Sequence, residues 1–263
     1  MWGIIPAAGR GSRIQPLAFS KELLPVGSRI EKGCERPRAV SEYLVERMVL
    51  AGATKIAFVI GPGKSDILEY FGGSYGRAAI TYVVQPEPAG LCDAIFRVLP
   101  FLSPGERVLV GLPDTIWYPE NGLRLVGNDA LSFLLFPVKR PELFDAVIAD
   151  ENGRVKEIRV KRRSSGSSWI WGAFKMPERV LRELYDLWGQ RGRCDEYMGT
   201  LVNAYIERGG DVRAVFGGES YVDVGTLGGY REAMALLSAR TDPVATTAPV
   251  VEGVAVSGRR VLE

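Results

Sequence analysis

Short apolar runs alternate with longer amphipathic stretches over most of this 263-residue chain. The runs have the length of strands and are rich in Val, Ile, Leu and Phe, whereas the longer stretches repeat apolar residues at helical spacing. This order of strand and helix predicts an α/β fold, a Rossmann-like, doubly wound, mostly parallel mixed sheet flanked by helices. Predicted strands cover 1–6, 55–60, 80–84, 107–111, 131–137, 146–149, 170–175, 213–216 and 221–222, and predicted helices cover 41–51, 65–71, 90–99, 177–188, 196–208 and 227–239.

The pattern weakens near the C-terminal end, where Pro243, two threonines and Pro249 follow in quick succession. We therefore predict one domain over residues 1–239. Residues 240–263 are predicted to form a tail, of which 250–262 could form an edge strand.

Composition narrows the class of protein. Hydrophobic residues make up 46% and charged residues 24%, and the net charge is +2, which is typical of a globular protein and argues against a nucleic-acid binder. The chain has no run of roughly eighteen apolar residues that could span a membrane. The three cysteines, Cys34, Cys92 and Cys194, are far apart and odd in number, which predicts free thiols and a cytoplasmic location. Assembly into a homo-oligomer is left open.

The chain contains no histidine. This excludes a Ser-His-Asp triad, the histidine pair of an H-E-x-x-H zinc site and any imidazole base. Chemistry must therefore use carboxylates, lysine, arginine or a hard metal ion bound through oxygen. Phosphoryl and nucleotidyl transfer need only such groups, because positioning and charge neutralisation provide most of the catalysis.

The first apolar run leads into a loop with two glycines and several cations. Gly9 and Gly11 allow backbone N–H groups to approach an anion, and Arg10, Arg13 and Lys21 add positive charge nearby. A polyphosphate is the expected ligand.

This segment resembles the signature of the sugar-1-phosphate nucleotidylyltransferases, G-x-x-x-A-G-G-x-G-[ST]-R-[LFI]-x-P followed by a K-x-[LM]-L-P motif. The resemblance implies Mg²⁺-dependent transfer of a nucleotidyl group from an NTP to a sugar 1-phosphate, giving an NDP-sugar and pyrophosphate. It also implies that Arg13, Lys21 and Lys161 are catalytic. The nucleotide-binding residues of the loop would be Ala8, Gly9, Gly11 and Ser12.

Two aspartates are candidate metal ligands. Asp114 follows the predicted strand 107–111, where α/β sheets bind ligands and where the family has a metal-binding aspartate. Asp223, in Tyr221-Val-Asp-Val-Gly-Thr226, matches the family's second metal ligand, and Gly225-Thr226 is predicted to cap the next helix. Carboxylate oxygens suit Mg²⁺. By itself Asp114 is also compatible with a simple turn.

The segment 84–94 is similar to the family motif Q-x-x-P-x-G-L-A-x-A, which reads a pyrimidine base. Gln85 and Gly90 are therefore candidate base contacts, because a side-chain amide can donate and accept hydrogen bonds at once. The resemblance favours dTTP or UTP over CTP or GTP.

Candidate sugar-binding residues are less closely matched. Lys161 falls on the family's lysine for the sugar phosphate, although the glutamate and proline that flank it there are absent. Asp145 replaces a family glycine that faces the sugar, Gly172 matches a strand glycine, and Asp195 lies near a family glutamate.

Two alternatives for function stay open. One is a cytidylyl- or guanylyltransferase that acts on an unusual sugar or polyol phosphate, and the other is a non-catalytic, nucleotide-sensing paralogue.

A P-loop is excluded as a phosphate-binding site. Residues 61–65 (Gly-Pro-Gly-Lys-Ser) imitate the end of a P-loop, but the first glycine of that motif would fall on Phe58. We predict instead a turn, with Ser65 or Asp66 capping the helix that follows.

Overall fold

The computed structural model describes residues 1–240, and the predicted tail with its edge strand lies outside the described residues. The helices are α1 Val40–Leu50, α2 Ser65–Phe71, α3 Gly90–Phe96, α4 Glu178–Gln190, α5 Met198–Glu207 and α6 Leu227–Arg240. The strands are β1 Trp2–Ala7, β2 Pro25–Glu31, β3 Cys34–Ala39, β4 Lys55–Ile60, β5 Ser74–Tyr75, β6 Ala78–Val84, β7 Arg107–Gly111, β8 Thr115–Tyr118, β9 Leu131–Pro137, β10 Asp145–Ala149, β11 Val155–Val160, β12 Trp169–Pro177, β13 Val212–Val215 and β14 Ser220–Asp223.

The predicted fold class is confirmed. Within residues 1–240 a ten-stranded mixed sheet has the order β11-β10-β12-β7-β1-β4-β6-β5, and β9 pairs with both β12 and β13. The central strands β7, β1, β4 and β6 are parallel to one another, and the long strand β12 adds antiparallel pairing beside β7. The carboxyl ends of the parallel strands therefore meet at one edge of the sheet, which receives the loops after β1, β6 and β7.

Alternation along the central strands sends side chains into two apolar layers. Ile4 and Val110 pack on one face of the sheet, and Ile5 and Phe58 pack on the other, all fully or almost fully buried. Gly3 allows α1 to lie close to β1, because a Cβ at this position would meet the Met48 sulfur at 2.6 Å. The apolar runs of the sequence are thus strands with both faces covered.

Several elements differ from the prediction. The hairpin β2–β3, the short strands β5 and β8, and β11 were not predicted, because their sequences lack a long apolar run. The helix predicted over 90–99 ends at Phe96, and a 3-10 turn, Leu99–Phe101, replaces its last part around Pro100. The helix predicted over 196–208 begins two residues later, at Met198.

The predicted cap of α2 is wrong. Lys64 occupies the N-cap position without a side-chain capping hydrogen bond, and Ser65 is already the first helical residue. Asp66 instead accepts two hydrogen bonds from Ser20, which lies in the loop after β1. The cap of α6 is as expected, since the Thr226 hydroxyl accepts a hydrogen bond from the Gly229 amide at 3.0 Å.

The three cysteines are free thiols, as predicted, and Cys92 is buried. Between residues 1 and 240 there is no helix both long and apolar enough to cross a membrane.

Candidate active site

The glycine-bearing loop connects β1 to the segment around Lys21. Gly11 adopts a left-handed conformation with φ of 65°, and its carbonyl accepts hydrogen bonds from the amides of Ile14 and Gln15. A Cβ at Gly11 would lie 2.7 Å from Cδ of Lys21, so only glycine lets the lysine pass beneath the loop. Ala8 is half-buried, and Gly9, Ser12 and Arg13 are exposed. The loop therefore presents backbone and cationic groups outward.

Lys21 and Asp114 form a largely buried ion pair. The Nζ atom of Lys21 lies 2.6 Å from Oδ2 of Asp114, and the two side chains are 14% and 11% exposed. Burial alone would lower the pKa of Lys21 and raise that of Asp114, but the pair outweighs burial and shifts both pKa values in the opposite directions. Both groups therefore carry full charge near neutral pH.

Asp223 reaches the same point through strand pairing. The strand β14 pairs antiparallel with β8 so that Asp223 lies opposite Thr115, the residue that follows Asp114. The amide of Val224 donates a hydrogen bond to the Asp114 carbonyl at 2.8 Å. Two carboxylates that are distant in sequence are thereby fixed side by side.

Gly225 marks the centre of this cluster. A Cβ built there would lie 2.8 Å from Oδ1 of Asp223, 2.9 Å from Nη2 of Arg13 and 3.1 Å from Oδ2 of Asp114. Nη1 of Arg13 is also paired with Oδ2 of Asp223 at 3.2 Å. Four groups that the sequence singled out, the two aspartates, Arg13 and Lys21, therefore converge on one small volume at the carboxyl edge of the sheet.

Tyr221 links this cluster to Phe144 and Asp145. Its ring is buried and packs edge-on against Phe144 with ring centroids 5.8 Å apart. Burial raises the pKa of its hydroxyl well above the ordinary value, and Asp223, Asp114 and Asp145 raise it further. All three carboxylates therefore act electrostatically on this phenol, a relation that the sequence motifs did not reveal.

The donor set at Gly225 fits a magnesium ion. Asp114 and Asp223 offer carboxylate oxygens from neighbouring backbone positions, which is the ligand chemistry that Mg²⁺ prefers. Across residues 1–240 no three Cys, Asp or Glu side chains gather into a metal-binding group, so the candidate site consists of these two aspartates.

Gln85, a predicted contact of the base, lies inside the protein. The residue is 3% exposed, and its Nε2 atom donates to Oδ2 of Asp93 at 2.7 Å and to the Gly90 carbonyl at 3.2 Å. Gly90 has a φ of 89°, and a Cβ there would meet the backbone of Glu196 at 2.8 Å. Gln85 thus holds the turn before α3, with its amide nitrogen already committed.

Lys161, the predicted contact of the sugar phosphate, follows β11 with a left-handed φ of 46°. Its Nζ lies 4.6 Å from the centroid of the Tyr197 ring. Asp145 is half-buried, and the indole of Trp171 on the neighbouring strand lies close enough to its carboxylate to favour the charged form. Burial raises the pKa of Asp145 and nearby Lys161 partly offsets this. Lys161 therefore lies near Asp145.

The other two sugar-side candidates have different surroundings. Gly172 lies at a bulge in β12, where a Cβ would meet Phe136 at 2.6 Å and Tyr221 at 2.7 Å, so packing alone demands glycine there. Asp195 is 5% exposed, and its two oxygens accept hydrogen bonds from Arg191 at 2.8 and 3.0 Å. Both oxygens of Asp195 are therefore already paired with Arg191.

Comparison with known proteins agrees with this geometry. Residues 2–240 match the family model described as nucleotidyl transferase. A glucose-1-phosphate thymidylyltransferase of Neisseria meningitidis is 28% identical over 245 residues, covering 89% of this chain and 81% of that protein. The UTP–glucose-1-phosphate uridylyltransferase AglF of Haloferax volcanii is 29% identical over 122 residues, 46% of each chain.

A solved structure of UTP-bound UGPase from Acinetobacter baumannii superimposes with a TM-score of 0.73 over 90% of this chain and 92% of that chain. Its identity of 20% shows the shared fold alone. With the family model spanning nearly all described residues, the chain belongs to the nucleotidyl transferase family, as a nucleotidyltransferase of the sugar-1-phosphate nucleotidylyltransferase type.

Proposed function

We propose that this protein transfers a nucleotidyl group from dTTP or UTP to a sugar 1-phosphate and that it requires Mg²⁺. The convergence of Asp114, Asp223, Arg13 and Lys21 around Gly225 carries this proposal. The cluster offers carboxylates to a metal ion and cations to phosphate oxygens, beside a glycine-bearing loop. A metal-bound triphosphate needs both kinds of charge.

In this reaction an oxygen of the sugar phosphate attacks the α-phosphorus in line. A new P–O bond forms as the bond between the α-phosphorus and the bridging oxygen breaks, and pyrophosphate leaves. The attacking phosphate is already ionised, so no protein nucleophile or base is needed, which is consistent with a chain that has no histidine. The protein's task is to align two anions and to neutralise their charge.

Each cation has a position suited to that task. Arg13 is mostly exposed at the mouth of the cluster, where it would bind the leaving pyrophosphate. Lys21 lies deeper, against Asp114, and would contact the α-phosphate. Ala8, Gly9, Gly11 and Ser12 would complete the triphosphate cradle with backbone groups. Asp114 and Asp223 would hold the metal, which when bound supplies charge neutralisation along the triphosphate.

The choice of dTTP or UTP rests on the base side and on the relatives. Gln85 fixes the turn at Gly90, and we propose that this turn and the remaining Oε1 atom of Gln85 form the edge that a pyrimidine meets. The relatives named above are a thymidylyltransferase and a uridylyltransferase of glucose 1-phosphate, which supports the same pair of nucleotides.

For the acceptor, Lys161 would bind the phosphate of the sugar, as a compact positive charge beside the Tyr197 ring. Asp145 would accept hydrogen bonds from sugar hydroxyls, because its partly buried carboxylate lies next to Lys161. Gly172 would act indirectly, because its lack of a side chain lets Tyr221 and Phe136 pack beneath the proposed sugar site.

The test is a panel of four NTPs against several sugar 1-phosphates with pyrophosphate release as the readout, run with Mg²⁺ and with EDTA. We expect turnover with dTTP or UTP that EDTA abolishes. Asp223→Asn should reduce kcat by about 10³-fold or more with little change in melting temperature, since its side chain is only partly buried. Wild-type turnover in Asp223→Asn would exclude the metal assignment.

Two other outcomes favour the alternatives. Turnover only with CTP or GTP would replace the proposed nucleotide and keep the reaction class. Saturable nucleotide binding without pyrophosphate release for any sugar would support a sensing protein.

A further inference from the structure

The segment Lys64–Asp66, which overlaps the P-loop-like residues 61–65, contacts protein groups in the structure. Lys64 Nζ donates to the Ala7 carbonyl at 2.6 Å and to both oxygens of Glu22 at 2.9 and 2.8 Å. A lysine ammonium has three donors, so all three are in use. Lys64 is therefore not a free phosphate-binding cation.

These contacts have a common target. Ala7 is the last residue of β1, immediately before the glycine-bearing loop, whereas Glu22 directly follows Lys21. Lys64 thus ties together the two ends of the loop. The buried side chain of Glu22 is 0% exposed and that of Lys64 13% exposed, so water does not compete for this pair.

Asp66 provides a second, independent anchor. Its Oδ2 atom accepts a hydrogen bond from the Ser20 amide at 2.6 Å, and its Oδ1 atom accepts one from the Ser20 hydroxyl at 2.7 Å. Ser20 directly precedes Lys21. The residues on both sides of Lys21 are therefore held by one short segment from the opposite side of the loop.

We propose that Lys64 and Asp66 are positioning residues that close the triphosphate loop at both ends and thereby fix Lys21 over Asp114. This inference rests on the proposed function, because it assigns the segment a role in that reaction. Charge-assisted hydrogen bonds in a site with little water are strong and directional, which suits them to hold a catalytic side chain in place. A displacement of about 1 Å in a positioned catalytic group can cost roughly 10²-fold in rate.

The first measurement needs no activity. Hydrogen–deuterium exchange should increase in a peptide that covers residues 17–25 in both Lys64→Met and Asp66→Ala, relative to wild type. Lys55→Met is the matched control, because Lys55 also pairs with a glutamate, Glu106, at 2.8 Å but is half-exposed and lies beside Trp2, at the end of β1 opposite to the loop. Unchanged exchange over residues 17–25 in both variants would overturn the proposal.

The second measurement tests action through Lys21. Lys64→Met should lower kcat roughly 10- to 100-fold and leave the KM for the sugar phosphate unchanged. The same substitution in a Lys21→Met background should cause no further loss of the residual rate. A general structural defect would lower the rate by the same factor in both backgrounds, and that result would refute a positioning role.

A third variant covers the case in which Lys64→Met does not fold because it leaves Glu22 buried without a partner. The double variant Glu22→Gln, Lys64→Met removes that charge yet still lacks the link to Ala7. It should fold and retain the loss of kcat, and full recovery of kcat would contradict the proposal. If wild type has no transferase activity with any pair of substrates, the proposed function fails, and exchange alone then decides whether the segment holds the loop.

Discussion

Gly225→Ala tests the convergence of the site without changing any charge. Gly225 is buried between the two aspartates and Arg13, and its φ lies outside the left-handed region, so alanine can adopt the backbone conformation. The added methyl group would lie 2.8 Å from Oδ1 of Asp223 and 3.1 Å from Oδ2 of Asp114.

The magnitude follows from these distances. An ordinary contact between carbon and oxygen begins at about 3.4 Å, so the carboxylates must move by about half an ångström. A displacement of 1 Å costs roughly 10²-fold in rate, and half of it therefore costs about 10-fold, or ~1.4 kcal/mol in the activation barrier. The atoms that move are the ends of side chains, so we expect the melting temperature to change little.

The assay is steady-state pyrophosphate release at saturating NTP and sugar 1-phosphate, with melting temperature measured in parallel. Gly228→Ala is the control, since it lies three residues further along in α6, where the nearest atom to a Cβ is 3.9 Å away. Alanine should stabilise this helical position by up to about 1 kcal/mol without affecting kcat. An unchanged kcat in Gly225→Ala, or equal losses in both variants, would refute the assignment of catalysis to this cluster.

Two further predictions concern single side chains. Lys161→Met should raise the KM for the sugar phosphate about tenfold, because a charge-assisted contact is lost. The same substitution at the exposed neighbour Arg162 should leave this KM unchanged. Steady-state kinetics with varied sugar phosphate measures both variants, and equal KM values would exclude Lys161 from the acceptor site. The hydrogen bonds from Arg191 lower the pKa of Asp195, so this carboxylate stabilises the fold above its unfolded pKa of about 3.9 and loses that contribution as the pH falls through its lower folded pKa. Asp195→Asn should therefore lower the free energy of unfolding by about 1–2 kcal/mol at pH 7. In denaturant titrations the difference from wild type should shrink below about pH 4. A difference that does not depend on pH would contradict this reasoning.

The sheet was predictable because its strands are continuous apolar runs. The strands β4, β7 and β9 begin and end where the pattern places them, since both faces of each are buried and a charged residue, Lys55 or Arg107, marks the start of β4 and β7. The charged hairpin β2–β3 and the short strand β8 were not predictable in this way. The hairpin strands pair with each other and contact α6, where the Tyr230 hydroxyl donates a hydrogen bond to the Pro25 carbonyl, and β8 pairs with β14, which lies far away in the sequence.

The local motifs identified the chemistry, but not every environment. Nothing in the chain order indicates that Gln85 uses its amide nitrogen on Asp93 or that Asp195 is bound on both oxygens by Arg191. The fragment at 61–65 illustrates the same limit. Its lysine is oriented toward Ala7 and Glu22 by the packing of the loop after β4 against the loop after β1.

The sequence by itself determined the α/β class, the glycine-bearing loop after β1 and the residue types available for catalysis, because these depend on local periodicity, on glycine at the turn and on the absence of imidazole. Only the tertiary structure decided how Asp114 and Asp223 meet. Their proximity results from the antiparallel pairing of β8 with β14, two short strands separated by about a hundred residues of chain. The physical reason is that hydrogen-bond registry between distant segments is set by the packing of the whole domain, which no local pattern encodes.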